Sequence, residues 1–269
     1  MIPLAAINQW SAKTPWPTTL QVEQDLLLSR LLIEIANHHH LGELLAFRGG
    51  TCLNKLHMDQ PIRYSEDLDY VLTRQEPLGD CFDSLRKIAD SIGFDVKWAS
   101  GHPVTALYLV TTPTDTSGRI RIKLEINKNE SQPFRPTIQI PFRVGSIWWE
   151  GEARVRTFII EEILGTKVRA LHQRRKGRDL LDLWYGITKL TSSDDVVMAA
   201  FHHYMAKNAF TFPQFEDTLD RKLRSAEFAS DLEGLLVEVP YGYKMESAAE
   251  VVKARLGPYL RNFAERRSR

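Results

Sequence analysis

The residues with the clearest chemical potential lie between positions 47 and 69. Phe47-Arg48-Gly49-Gly50-Thr51 carries a short apolar run into two glycines, and Arg63-Tyr64-Ser65-Glu66-Asp67-Leu68-Asp69 follows soon after. Glycine admits positive φ and lets another group approach the backbone closely. If a helix starts at this turn, its exposed amides and its dipole suit a phosphate, to which Thr51 adds a hydroxyl. A Gly-Gly before a helix is, taken alone, an ordinary turn. In a strand, Asp67 and Asp69 face the same side. Neighbouring carboxylates repel unless a cation lies between them. A hard cation such as Mg²⁺ takes carboxylate oxygens and keeps positions open for substrate phosphates.

A third carboxylate comes from the stretch 119–126. Ile120, Ile122, Leu124 and Ile126 point one way along it; Arg119, Arg121, Lys123 and Glu125 point the other. Glu125 on a neighbouring strand would complete a site for two ions, which stabilises both attacking and leaving oxygens of an in-line phosphoryl displacement. Otherwise it is a surface carboxylate. Further on, Lys167, Arg169, Arg174, Arg175, Lys176 and Arg178 fall within twelve residues that contain no acidic side chain. Such a run is either a solvated helical surface or a strip for a phosphate-rich acceptor such as a tRNA end. Arg261, Arg266, Arg267 and Arg269 read as a frayed basic tail.

The elements that must position these residues follow from periodicity. Residues 1–17, with Pro3, Pro15 and Pro17, read as an irregular arm. Thr18 or Thr19 caps a helix to about Asn37, in which Leu20, Leu27, Leu28, Leu31, Leu32 and Ile35 recur at helical spacing. Strands are expected at 44–47, 67–72, 94–98, 105–111 and 119–126, and short helices at 52–58 and 82–92. Gly93 stops the second of these helices. Residues 127–156 read as loop-rich with room for a strand or two. Beyond them helices are expected at 160–173, 177–189, 193–206, 211–229 and 246–266. A boundary near residue 155, where β-rich sequence gives way to helical sequence, divides the chain into domains of 1–155 and 156–269. His38-His39-His40 cannot all face one metal from a helix and read as a polar helix end. Ile147, Trp148 and Trp149 are expected to pack across the domain interface.

The bulk properties bound the class without choosing a function. The chain has 269 residues, 43% hydrophobic and 26% charged, with a net charge of +1. That composition is ordinary for a globular protein, and any polyanion site must arise from local clustering. Cys52 and Cys81 cannot form a disulfide framework and read as plain buried side chains. The N-terminal stretch lacks the basic and apolar regions of a signal peptide, and no apolar run approaches the ~20 residues that span a bilayer. The expected location is cytoplasmic, with no membrane partner.

Together these motifs carry a resemblance. Phe47–Leu56 followed by Arg63–Asp69 resembles the first motif of AbiEii and MenT-type nucleotidyltransferase toxins, within the DNA polymerase β-like nucleotidyltransferase superfamily. Arg121–Asn127 resembles the second motif, Glu161–Leu171 the third and Arg178–Leu183 the fourth, so the likeness spans about residues 20–190. Thr51 stands where many relatives have Ser, and the third carboxylate is Glu rather than Asp.

The resemblance implies an α/β fold: a nucleotidyltransferase-like mixed sheet flanked by helices, then a C-terminal helical bundle, with the site in the groove between them. It implies that Asp67 and Asp69 bind Mg²⁺ or Mn²⁺, with Glu125 as third ligand or general base. Arg48, Gly49, Gly50, Thr51, Lys123 and Lys167 would contact the NTP, Lys167 as a point charge on the triphosphate. Asp179 or Asp182, three apart on one helical face, would complete the site; an ion pair with Arg178 is the other reading of Asp182. Arg169, Arg174, Arg175, Lys176 and Arg178 would meet RNA. The implied role is that of a toxin transferring NMP to an acceptor such as a tRNA 3′ end, blocking translation and checked by an AbiEi-like antitoxin. Transfer to a protein or small molecule, or a non-catalytic nucleotide-binding module, are the alternatives.

Overall fold

The computed structural model describes residues 2–99, 104–114, 118–205 and 210–267; for 98, 99 and 261–267 it describes the backbone alone. The side chains of Arg261, Arg266 and Arg267, and Arg269 altogether, lie outside the described residues. The chain forms two compact units, Met1–Phe158 and Ile159–Arg269.

The first unit runs α1 (Leu4–Ser11), α2 (Thr19–Asn37), α3 (His39–Leu44), β1 (Leu45–Arg48), α4 (Gly49–Leu56), β2 (Asp67–Leu72), α5 (Gly79–Ile92), β3 (Asp95–Ala99), β4 (Val104–Thr111), β5 (Ile120–Asn127), β6 (Ile138–Gly145) and β7 (Glu150–Thr157). The strands form one mixed sheet in the order β3-β4-β5-β2-β1-β7-β6. β2 runs parallel to β5 and antiparallel to β1, and β1 runs parallel to β7. β3, β4 and β5 form an antiparallel meander.

Alternation divides this sheet into two faces. Leu68, Tyr70, Ile122, Leu124, Ile126, Leu107 and Leu109 are buried at 3% exposure or less. They share one face, since residues in register across neighbouring strands point the same way. Helix α2 lies against this unit's strands with Leu26, Leu28 and Leu32 at 0% exposure. At ~25 cal/mol per Å², burying one such leucine side chain contributes about 2 kcal/mol. The α2 start is a capping box: the Thr18 hydroxyl accepts from the Gln21 amide, and Gln21 Oε1 accepts from the Thr18 amide.

Several elements differ from the sequence expectation. Part of the supposed arm is α1, because Ala6, Ile7 and Trp10 are buried and the Trp10 indole donates to Asp25 at 2.9 Å. The loop-rich stretch, which left room for a strand or two, holds two eight-residue strands, β6 and β7, paired as a hairpin. Pro141 is tolerated because β6 is an edge strand with one side unpaired. Trp148 and Trp149 pack within the first unit, where Arg30 of α2 lies 5.0 and 5.2 Å from their ring centres. His38 ends α2 and caps α3, its Nδ1 accepting from the Leu41 amide at 3.4 Å.

The second unit is helical: α6 (Ile160–Gln173), α7 (Gly177–Lys189), α8 (Asp194–Met205), α9 (Phe212–Leu223), α10 (Ala226–Ser230) and α11 (Met245–Arg267). The single helix expected at 211–229 is thus two, α9 and α10. Gly165 lets α6 and α8 approach, since a Cβ there would lie 2.8 Å from the Val197 carbonyl. The Lys222 ammonium caps the end of α6, donating to the carbonyls of Leu171 and His172. No helix among the described residues is long and apolar enough to cross a membrane.

Candidate active site

The sheet face opposite the leucines carries the polar residues. Asp69 is in register with Arg48 on β1 and with Glu125 on β5, and Asp67 with Lys123. Asp67, Asp69, Arg48, Lys123 and Glu125 therefore share one face and are all partly exposed. Leu68 and Tyr70, which separate and follow the aspartates, anchor the strand on the other side at 0 and 3% exposure.

Gly49 explains how Asp69 reaches its position. The glycine has φ 86°, a left-handed conformation. A Cβ built on it would lie 3.0 Å from Cβ and Cγ of Asp69 and closer still to Oδ2. The Asp69 carboxylate thus occupies the space that any other residue at 49 would fill. It sits beside the first turn of α4, where the helix dipole favours negative charge.

Thr51 is placed differently from the sequence reading. It is 1% exposed, and its hydroxyl donates to the Asp67 carbonyl at 2.6 Å and lies 2.7 Å from Ser65 Oγ. The hydroxyl ties the first turn of α4 to the start of β2 and is not presented to a phosphate. Ser65 is a member of this arrangement that sequence reasoning missed. Its only signal was its place two residues before Asp67.

Glu125 lies on the expected face, but its carboxylate is ion-paired with Lys123. The two residues follow one another on the same side of β5, so the ammonium finds the carboxylate as its nearest counter-charge. Burial disfavours the Lys123 charge, yet the hydrogen bond to Glu125 and the fields of Glu125 and Asp67 outweigh it and raise the lysine above its usual range. No three His, Cys, Asp or Glu side chains among the described residues are arranged to hold an ion. The expected three-carboxylate cluster is therefore reduced to a pair, Asp67 and Asp69. Two half-buried carboxylates two residues apart on one strand are hard oxygen donors, and this donor set fits a hard divalent cation. Arg48 is ion-paired with Glu130, from the loop after β5, a partner with no linear signature.

The remaining expected site residues lie in the helical unit. Lys167 is 4% exposed, its ammonium 2.6 Å from Asp182 Oδ2 and 3.2 Å from Asp179 Oδ1. It is ion-paired with two carboxylates of its own unit. Asp179 also accepts a bidentate pair from Arg174, at 2.6 and 2.7 Å. Burial opposes the Asp179 charge, but Lys167 and Arg174 together hold its carboxyl well below the usual carboxylate range. Asp182 pairs with Lys167, while Arg178 instead approaches Asp231 at 3.8 Å, alongside Lys176 at 3.2 Å. Arg169 lies 5.7 Å from the Tyr204 ring centre, and Arg175 is exposed. Arg174 thus pairs with Asp179, and Lys176 and Arg178 share Asp231.

One face of the sheet is thus apolar and helix-covered, and the other carries two aspartates, one of them against a glycine turn, a donor set suited to a cation and a phosphate. Comparison with known proteins agrees. A family described as "Nucleotidyl transferase AbiEii toxin, Type IV TA system" matches residues 30–254. The chain belongs to this AbiEii family and is a nucleotidyltransferase. No curated protein gives a significant match. The fold is similar to that of MenT4, a nucleotidyltransferase toxin from Mycobacterium tuberculosis H37Rv, with TM-score 0.61 and 16% identity over 94% of this chain and 89% of that one. It is also similar to JHP933 from Helicobacter pylori, with TM-score 0.55 and 17% identity over 93% and 96% of the two chains. A putative nucleotidyltransferase from H. pylori follows, with TM-score 0.54 and 17% identity over 90% and 94%.

Proposed function

We propose that this protein is the toxin of a toxin–antitoxin pair and transfers NMP from an NTP to the 3′ end of an RNA, with a tRNA as acceptor. The observation that carries this reading is the placement of Asp67 and Asp69 on one face of β2, with Asp69 packed against the Gly49 turn. Their carboxylates would hold a divalent cation, Mg²⁺ or Mn²⁺, which when bound draws charge from the phosphate oxygens of the nucleotide. The amides of Gly50 and Thr51 at the start of α4 supply donors for the phosphates. Arg48, in register with Asp69, adds a guanidinium once it exchanges Glu130 for phosphate.

In the transfer, the acceptor hydroxyl oxygen bonds to the α-phosphorus and the bond to the bridging oxygen of the β-phosphate breaks. Pyrophosphate leaves with that electron pair. The hydroxyl proton passes to a carboxylate on the same sheet face, for which Glu125 is the candidate, in register with Asp69. The buried group of Lys167, Asp179 and Asp182 holds α6 against α7 and takes a positioning role. A protein antitoxin is the expected partner of a family member of this kind.

The test is transfer of label from each α-labelled NTP in turn, with total tRNA and with lysate protein, in the presence of Mg²⁺ or of chelator. Label at tRNA size that disappears with chelator and with Asp69→Asn supports the reading. Label on protein alone replaces the acceptor, and transfer undiminished in Asp69→Asn overturns the site.

A further inference from the structure

The polar face of the sheet does not end at the carboxylate pair. It continues across β5, β4 and β3, and its rows follow from register: Asp67 with Lys123, Lys123 with Tyr108, and Tyr108 with Lys97. Neighbouring strands lie ~4.8 Å apart, so Tyr108 stands about 10 Å from Asp67 along this row. One row along, Arg121 is exposed and its guanidinium carbon sits 3.9 Å from the Tyr108 ring centre. Lys97 is exposed beyond Tyr108, and Arg119 is exposed just before β5. Asp95, across Val110 from Arg121, sets an acidic limit at the edge strand.

We propose that this strip, centred on Arg121 and Tyr108, is the surface on which the unpaired end of the acceptor RNA lies while its terminal hydroxyl is at the carboxylate pair. The inference rests on the proposed function above and deepens it by naming where the acceptor is held. Three observations carry it. An exposed arginine is ordinarily free to move, whereas Arg121 is held over an aromatic ring and so loses less freedom when it binds. A planar cation backed by an aromatic ring accepts a base by stacking and a phosphate by hydrogen bonding, without regard to sequence. The charge complements a polyanion: Lys97 and Arg121 are exposed on this face, and Arg119 is exposed just before β5. In the run 169–178, by contrast, Arg174, Lys176 and Arg178 are each already engaged by a carboxylate, Asp179 or Asp231.

Two measurements separate this surface from the reaction itself. Anisotropy of a short fluorescent single-stranded RNA reads binding to the full-length protein, and transfer of labelled NMP to total tRNA reads KM and kcat. Tyr108→Ala and Arg121→Ala should each weaken RNA binding and raise KM for RNA about tenfold, the scale of one lost stacking contact. The KM for NTP and kcat should stay within about twofold, Tyr108→Phe should behave as wild type, and thermal unfolding should be unchanged. Binding by the wild type should fall steeply with salt. If the wild type binds no RNA, or if both alanine variants bind and turn over as wild type does, the surface is not the acceptor site, whatever the transfer assay shows. If RNA binding is lost in the variants but label goes only to protein, the surface stands as an RNA site and the proposed reaction falls.

Discussion

Asp69 and Gly49 share one space: the carboxylate of the first fills the volume that a side chain on the second would need. This dependence is sharper than the phosphate-cradling role read for Gly49 from the sequence. Gly49→Ala should displace the Asp69 carboxylate and strain the turn, whose φ is 86°. The strain costs about 1–3 kcal/mol. The larger effect should be on catalysis, since a misplacement near 1 Å can cost about a hundredfold in rate. Transfer activity and the thermal midpoint, measured together, check this; a folded Gly49→Ala protein with wild-type activity would refute it.

Thr51 offers a clean discrimination between two roles. If its hydroxyl holds the Asp67 carbonyl, as the 2.6 Å contact shows, Thr51→Val should lower kcat and cost about 1–3 kcal/mol by leaving the buried carbonyl short of a partner. The KM for NTP should hardly change, and Thr51→Ser should retain function. A direct phosphate contact would instead show as a raised KM for NTP in Thr51→Val.

The buried ions of the helical unit should govern its stability and its response to acid. Lys167→Met removes the ammonium that Asp179 and Asp182 share, both 0% exposed, and should cost about 3–5 kcal/mol. Asp179 titrates below its ordinary value of 3.8 in the folded protein. Its stabilisation is therefore complete above the unfolded value and is lost as pH falls through the lower, folded one. Urea midpoints at neutral pH and through the acid range should show a component of acid destabilisation that Asp179→Asn lacks.

The cysteines should be inert in the native protein. Burial pushes both the Cys52 and the Cys81 thiols up to about 12. A thiol reagent at pH 8 should label neither until denaturant is added, when both react. Rapid labelling of either in the folded protein would show that its surroundings open.

Much of the reaction face was legible in the sequence because alternation in β2 and β5 assigns each residue to one side, and the Gly-Gly turn marks where β1 ends. What alternation cannot show is which charges neutralise one another. Lys167, Asp179 and Asp182 are assigned to the site by the resemblance of 161–171 and 178–183 to family motifs. Only packing of α6 against α7 reveals them as mutual partners. The Thr51–Ser65 contact and the Arg48–Glu130 pair join residues 14 and 82 positions apart, and nothing local announces either. The β6–β7 hairpin is foreseen only as room for a strand or two, its bounds blurred by Pro133, Pro136 and Pro141, the last of which an edge strand can hold.

The shared register of β2 and β5 has a consequence for how this protein tolerates change. On both strands the odd-numbered positions from Asp67 to Asp69 and from Arg121 to Glu125 are on the open side, and the even-numbered ones are in the core. A saturation scan should therefore show two interleaved phenotypes: soluble but inactive protein at one parity, loss of soluble protein at the other. Deleting a single residue within β2 would shift the parity of every residue on one side of the deletion, and losing Leu68 would leave the two aspartates on opposite faces, so length in this strand should be guarded more strictly than the identity of any one of its apolar side chains.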